Sequence, residues 1–435
     1  MITLAPYIEK VKGVNPLRLC GYVDRITGLV VEAIAPPSRI GDFCLIDTGQ
    51  EDVLCEVVGF RSDRLLLMPL GEIRGIKPGD EVILGREELF VEVGEELLGR
   101  VLNGLGRPID GKGPVLGTHR FPVFNRTPNP LRRKRISEIF CTGIKVVDGL
   151  LTCGKGQRMG IFSGSGVGKS TFLGMIARNG LGEVNVIALI GERGREVREF
   201  IERDLGQEGM RRSVLVVATS DEPSLVRINA AFVASAIAEY FRSEGKDVVL
   251  LMDSITRLAM AQREVGLAIG EPPTTRGYTP SVFAMLPKLL ERAGTDENGS
   301  ITAFYTVLVE SDDMNDPIAD AVRSILDGHI VLSRDLASRG QYPAVDVLYS
   351  ISRLMTEITS SEHQELAQRI REILAVYRDA EDLINIGAYK RGSSPKIDYA
   401  VSMIERINEF LRQRVDERFS YQQTLSLMRS LVGSK

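Results

Sequence analysis

The 435-residue chain has no tryptophan, three histidines and five cysteines. His119, His329 and His363 stand far apart without H-E-x-x-H or similar spacing, so a histidine-built transition-metal centre is not expected. The cysteines Cys20, Cys44, Cys55, Cys141 and Cys153 are odd in number and lack C-x-x-C spacing. They read as buried thiols of a reducing cytosol rather than a disulfide framework. No stretch approaches the ~18 consecutive apolar residues of a membrane helix. The opening Met1-Ile2-Thr3-Leu4-Ala5-Pro6 has no basic region before an apolar run, which argues against a secretory signal. Neither sign of charge dominates: Lys+Arg 54 against Asp+Glu 58 gives −4, which excludes a generally basic nucleic-acid coat and an acidic disordered tail. What remains is an ordinary globular composition rich in glycine, with 43 residues, and a length that predicts about three domains.

Three compositional regimes divide the chain into residues 1–92, 93–356 and 357–435. The first is short β-rich runs cut by turns, at 29–34, 52–58, 64–68 and 81–84, a spacing that predicts a small closed β-barrel. It holds 10 Lys/Arg and 15 Asp/Glu, so the acidic excess of the chain lies there. In the second, apolar strands at 159–162, 184–190, 214–218, 248–252, 301–308 and 330–332 alternate with helical stretches at 169–178, 196–205 and 223–241. Such alternation predicts an α/β domain with a mostly parallel sheet covered on both faces. The third is helical: Leu366, Ile370, Ile373, Leu374 and Tyr377, then Ile397, Ala400, Ile404, Ile407 and Leu411, recur at helix spacing, with Gly392-Ser393-Ser394-Pro395 breaking the two runs.

Ser163-Gly164-Ser165-Gly166-Val167-Gly168-Lys169-Ser170, with Thr171 next, follows a predicted strand and opens a predicted helix. Glycines let successive N–H groups curl around phosphate oxygens, and the helix N-terminus adds its dipole. Lys169 reaches the β/γ-phosphates in such a loop, and the Ser170 hydroxyl ligates Mg²⁺. Ser163 stands where the usual pattern has glycine, a mild departure. The buried strand Val248-Val249-Leu250-Leu251-Met252 ends in Asp253, the carboxylate a P-loop site needs for its metal. Gly191-Glu192-Arg193-Gly194-Arg195-Glu196 falls at the carboxyl end of another strand, the end that faces nucleotide. A glutamate there orients the attacking water, and Arg193 is placed to contact the γ-phosphate. Spacing alone does not choose Glu192 over Glu196.

These segments, with Thr142-Gly143-Ile144-Lys145-Val146-Val147-Asp148 ahead of the loop, resemble the catalytic heads of rotary ATP synthases and their relatives. Glu271-Pro272-Pro273-Thr274-Thr275-Arg276-Gly277-Tyr278, Gly299–Leu308 and Asp320–Ser333 are similar to the type III secretion ATPases in particular. Ile384-Asn385-Ile386-Gly387-Ala388-Tyr389 resembles the flagellar export branch, whereas Asp312-Asp313-Met314 and Asp346-Val347-Leu348 look injectisome-like. The resemblance implies a RecA-like P-loop core between an N-terminal β-barrel and an α-helical C-terminal domain. It implies ATP and Mg²⁺ as substrate and cofactor, and a hexameric motor that energises export of flagellar proteins. It also assigns Tyr342, in Gln341-Tyr342-Pro343-Ala344, to adenine stacking, and Arg353, in Ser350-Ile351-Ser352-Arg353, to an arginine finger supplied across a subunit interface.

Partners follow from the same resemblance: a stator-like regulator at the N-terminal stretch Ile2, Leu4, Tyr7, Ile8 and Val11, a coiled-coil stalk entering the ring, export substrates and chaperones at the helical domain, and the export gate. These imply a bacterial cytoplasmic enzyme, peripheral at the inner membrane. The alternatives are an injectisome ATPase, a Rho-like nucleic-acid translocase and a non-catalytic rotary subunit. The translocase needs a basic, aromatic RNA-binding N-domain, which the acidic barrel with scattered Tyr22, Phe43, Phe60 and Phe90 does not supply, so no nucleic-acid partner is expected. Glu192 argues against the non-catalytic subunit. Gly104–Asp110 is read as a structural loop between barrel and core, and Arg132-Arg133-Lys134-Arg135 as a solvated or interface face.

Overall fold

The computed structural model describes residues 20–85, 88–309 and 316–433. The N-terminal apolar stretch and Asp312-Asp313-Met314 therefore lie outside the described residues. Six strands, β1 (Cys20–Thr27), β2 (Val30–Ile34), β3 (Phe43–Asp47), β4 (Asp52–Arg61), β5 (Arg64–Pro69) and β6 (Glu81–Leu84), close into a barrel in the order β1-β2-β5-β4-β3-β6. Period-two alternation does this: Val53, Cys55 and Val57 of β4 point inward and join Val23, Val31, Ile46, Leu67 and Val82 in a separate core. Pairing of β1 with β6, Cys20 opposite Ile83, closes the sheet and leaves it no free edge. Four of the five cysteines are buried as expected; Cys20, at the barrel seam, is only partly so.

The central sheet holds β7 (Val101–Asn103), β8 (Arg158–Ser163), β9 (Val184–Glu192), β10 (Ser213–Thr219), β11 (Asp247–Asp253), β12 (Ser300–Leu308), β13 (Gly328–Leu332) and β14 (Ile351–Ser352), in the order β14-β13-β8-β12-β11-β9-β10-β7. All neighbours are parallel except β13 and β14. Its strands are apolar throughout because both faces are covered. Val184, Val186, Ala188 and Ile190 of β9 enter one core, and Ile187 and Leu189 the other. The first core contains α3 (Ser224–Ser243) and α4 (Ile255–Ile269), with α5 (Pro280–Leu290) and α6 (Pro317–Ile325) continuing the layer. The second contains α1 (Lys169–Asn179) and runs on into the C-terminal helices.

The expected helix at 196–205 begins earlier, as α2 (Gly194–Glu199), and widens into a π-helical turn over Phe200–Leu205. Gly174 explains the close packing there: a Cβ on it would lie 2.7 Å from the Asp204 carbonyl oxygen. The last region forms α7 (Ser361–Asn385), α8 (Pro395–Leu411) and α9 (Tyr421–Val432). Gly392, at φ 91, and Pro395, in the first turn of α8, make the break between α7 and α8. His363, 1% exposed, ties α7 to the core through its Nε2 and the Gly149 carbonyl at 2.7 Å, and to Tyr421 Oη through Nδ1 at 2.8 Å. Burial lowers its pKa, in keeping with a satisfied structural imidazole.

The basic run 132–135 is less free than its sequence implied. Arg133 is tucked in and donates to the carbonyls of Ala293 and Glu291, while Arg132 and Arg135 pair with Glu297 and Glu357. The Gly104–Asp110 loop is fixed by Asp110, which accepts from Arg100 Nε at 2.7 Å, and by Gly104, whose Cβ position lies 2.4 Å from the Val226 carbonyl oxygen.

Candidate active site

The P-loop leaves the carboxyl end of β8. Ser163 is buried, Ser165 and Gly166 are exposed, and Val167 is anchored in the core beneath the loop. Gly166 and Gly168 have φ of 80 and 86, conformations that side chains rarely adopt, so glycine is required at both. Gly168 is the left-handed cap of α1, whose first turn carries Lys169, Ser170 and Thr171. The loop therefore presents α1's unpaired N–H groups, with their partial positive charge, to whatever sits above it.

Three functional side chains meet at this end of the sheet. Lys169 Nζ lies 2.5 Å from Asp253 Oδ1 and 3.3 Å from Glu192 Oε1. Burial pulls the ammonium's pKa down, but Asp253 and Glu192 outweigh it and the net shift is upward, so Lys169 remains charged. Burial pushes the Glu192 carboxyl up to about 7, with Lys169 opposing and Asp253 adding to the rise. A carboxylate poised near neutrality can accept a proton from water at working pH. Glu196 pairs with Arg193 at 3.4 Å rather than with Lys169, and its contact with Glu192 lowers its own pKa while adding to the rise at Glu192. The geometry thus separates the two glutamates that spacing left equivalent. Arg193 itself points to solvent, and Thr171 Oγ1 is turned toward Asp204 at 3.4 Å.

Tyr342 is 46% exposed, and its ring lies 3.4 Å from the Cβ position of Gly168, beside the loop. Its carbonyl accepts from Gln413 N at 3.0 Å, which ties this turn to the segment after α8. Arg353 is not brought to this site. Ser352 pairs with Gly328 at the amino end of β13, whereas Ser163, where the P-loop begins, pairs with Leu332 at its carboxyl end. Those ends are ~13 Å apart along the strand.

Two residues escaped sequence reasoning. Thr306, on β12 between the P-loop strand and the Asp253 strand, donates to Asp253 Oδ1 at 2.7 Å. Its strand also carries Ser300, Thr302 and Tyr305, so nothing in the sequence singled Thr306 out. Arg257, on the first turn of α4, lies with its side chain 2.9 Å from the Cβ position of Gly191, next to Glu192, and its buried Nε has no hydrogen-bond partner among the described residues. An arginine four residues past the strand-end aspartate was the available cue.

The sheet order, the glycine loop at a helix N-terminus and the lysine–carboxylate cluster define a RecA-like P-loop nucleotide hydrolase behind a β-barrel. The nucleotide-binding domain of the ATP synthase alpha/beta family matches residues 143–352, the beta-barrel domain of that family matches 23–84, and the T3SS EscN ATPase C-terminal domain matches 359–430. The flagellum-specific ATP synthase of Bacillus subtilis is 54% identical over 431 residues, covering 98% of each chain. The type 3 secretion system ATPase of Xanthomonas euvesicatoria is 52% identical, covering 95% of this chain and 94% of its own. The assembled ATPase EscN of enteropathogenic E. coli superposes with a TM-score of 0.91 at 46% identity, over 94% of this chain and 99% of that one. The chain belongs to the flagellar and type III secretion branch of the ATP synthase alpha/beta family, and it is an ATP hydrolase.

Proposed function

We propose that the protein is a Mg²⁺-dependent ATPase that works as a homohexameric ring and energises type III export of flagellar proteins. Residues 1–92, 93–356 and 357–435 serve as barrel, motor core and helical cap. Gly164, Ser165, Gly166, Val167, Gly168, Lys169, Ser170 and Thr171 cradle the phosphates, and Tyr342 stacks on adenine. Ser170 and Asp253 fit a hard, oxygen-seeking Mg²⁺, which supplies charge neutralisation on the phosphates. Phosphate oxygens draw Lys169 off the two carboxylates. Glu192, freed from that ion pair, orients the attacking water and accepts its proton, while Arg257, beside Gly191 and Glu192, meets developing phosphate charge and Arg193 turns in from solvent to join it. Arg353 completes a neighbour's site.

The observation that carries the reading is the pairing of a charged Lys169 with a near-neutral Glu192 at the P-loop, while Arg353 stands at the opposite end of β13. A hydrolase with its finger on the far side of its own sheet needs a second copy. EscN is described as assembled and in complex with its central stalk EscO, which supports a ring and a stalk partner here. The export gate, substrates, chaperones and regulator remain partners of the proposal, as does peripheral attachment at the inner membrane. No helix among the described residues is long and apolar enough to cross a membrane.

The test is deletion of the gene in its own bacterium, followed by measurement of secreted hook and filament protein. Loss of those proteins, restored by the wild-type chain and not by Lys169→Ala, is expected. Normal flagellar secretion with loss of needle and translocator proteins would assign the chain to the injectisome branch instead.

A further inference from the structure

Helix α4 starts two residues beyond Asp253, capped by the intervening Ser254, whose hydroxyl accepts from Arg257 N. It ends at Gly270, and an exposed loop then carries Arg276 at φ 51 and ψ 27. Among the described non-glycine residues, only Arg276 and Ser62 have positive φ. A long side chain holds this left-handed conformation at a cost that surrounding contacts must offset. One such contact is a 3.0 Å ion pair from Arg276 Nη1 to Asp316 Oδ2. The other oxygen of the same carboxylate accepts from the backbone N–H groups of Ile318 and Ala319, at 2.9 and 3.2 Å, and so caps α6. At the far end of α6, the Arg323 carbonyl accepts from Arg353 Nη2 at 3.4 Å. Nine residues of helix, pinned to the core by Ile318, Ala319 and Val322, thus join Arg276 to Arg353 across ~13 Å.

We propose that the Arg276–Asp316 pair and α6 form a rigid link that carries the state of a subunit's own Asp253 strand to the arginine it presents to its neighbour. This rests on reading Arg353 as an intersubunit finger. When Lys169 leaves Asp253 for phosphate, the carboxylate just ahead of the α4 cap loses its ammonium partner, and the field at the amino end of α4 changes. A shift of α4 moves the 271–279 loop, Arg276 pulls on Asp316, and α6 repositions Arg353. Arg276 and Asp316 are positioning residues; neither stands at the P-loop.

The test is steady-state ATPase kinetics of the full-length assembled protein with Arg276→Asn, Asp316→Asn, their double variant and Arg276→Lys. Asparagine tolerates positive φ and still caps a helix, so both asparagine variants keep the backbone while removing the ion pair. Each is expected to lower kcat by ~2–5-fold, the scale of a half-exposed pair, with KM for ATP unchanged. The double variant should be no worse than either single one, and Arg276→Lys should keep wild-type turnover. Wild-type kcat in both asparagine variants, or losses that multiply in the double, would overturn the link. Should Asp316→Asn fail to fold or assemble, Arg276→Asn against Arg276→Lys decides, because that residue is half exposed. Arg353→Ala is measured beside them. A large loss there with normal Arg276→Asn removes the link and keeps the finger; normal turnover in Arg353→Ala removes both.

Discussion

At the residue scale, the site turns on one carboxyl held near neutrality. Glu192 titrates at about 7 because burial and Asp253 outweigh the pull of Lys169. The base is absent when protonated, so kcat/KM should fall as pH drops below about 7, with a slope of one proton. A pH–rate profile at low ATP checks this, and Glu192→Gln should abolish turnover at every pH. Linkage gives a second readout. A carboxyl whose folded pKa lies above its unfolded value costs stability once pH rises through both. In nucleotide-free protein, Glu192→Gln should therefore raise Tm at pH 8 and leave it unchanged near pH 4. Thr306 is the complementary case. Thr306→Val keeps shape but removes the hydroxyl that holds Asp253, and is expected to lower kcat ~10-fold while the protein still folds. A phosphate-release assay paired with thermal melts separates the two effects.

At the scale of elements, the P-loop, the Asp253 strand and the glutamate turn were legible because each is contiguous and its chemistry fixes residue types. The alternation of β4 and the apolar runs of β9 and β11 likewise declared a barrel and a two-sided sheet. What the sequence could not display was lateral order. Insertion of β12 between β8 and β11 brings Thr306 to Asp253, and no periodicity encodes which strand is a neighbour. Long-range ion pairs were hidden for the same reason. Arg292, 2% exposed in side chain, makes a two-pronged pair with Glu239 at 2.7 and 2.6 Å and donates to the Val123 carbonyl, tying the chain at Val123 to α3. In sequence, Glu239 and Arg292 are unremarkable charges, one within a helix and one just past the end of another. Removing the carboxylate leaves a guanidinium buried without a countercharge, which typically costs ~3–5 kcal/mol. Glu239→Gln should therefore lower the calorimetric transition of the core by ~10 °C. An unchanged transition would mean that the Val123 carbonyl and the substituted amide suffice to hold Arg292.

At the scale of the whole molecule, the P-loop and Arg353 stand at opposite ends of β13, and on the proposed reading they belong to two active sites, each shared between two copies. If the P-loop end of β13 and its Arg353 end meet different neighbours, as proposed, the contact between subunits is head-to-tail, and a head-to-tail contact that closes forms a ring. Glu192→Gln spoils the site a subunit owns, and Arg353→Ala spoils the site it lends to its neighbour. Each variant alone is expected to be inactive. In a random equimolar ring, an interface is intact when its glutamate comes from an Arg353→Ala copy and its finger from a Glu192→Gln copy. Chance supplies that pairing at about a quarter of interfaces for head-to-tail assembly. Co-assembled protein should thus recover up to about a quarter of wild-type turnover if interfaces fire independently, and much less if firing must pass around the ring. Purified variants mixed under assembling conditions, with phosphate release followed against mixing ratio, give this directly, and activity should peak near equal proportions. A mixture that stays as inactive as its components, although sedimentation shows mixed rings, would require every interface to be intact before any one can turn over. Full activity in dilute Arg353→Ala monomer would instead place the whole site in a single chain, against the separation of Ser163 and Ser352 at opposite ends of β13.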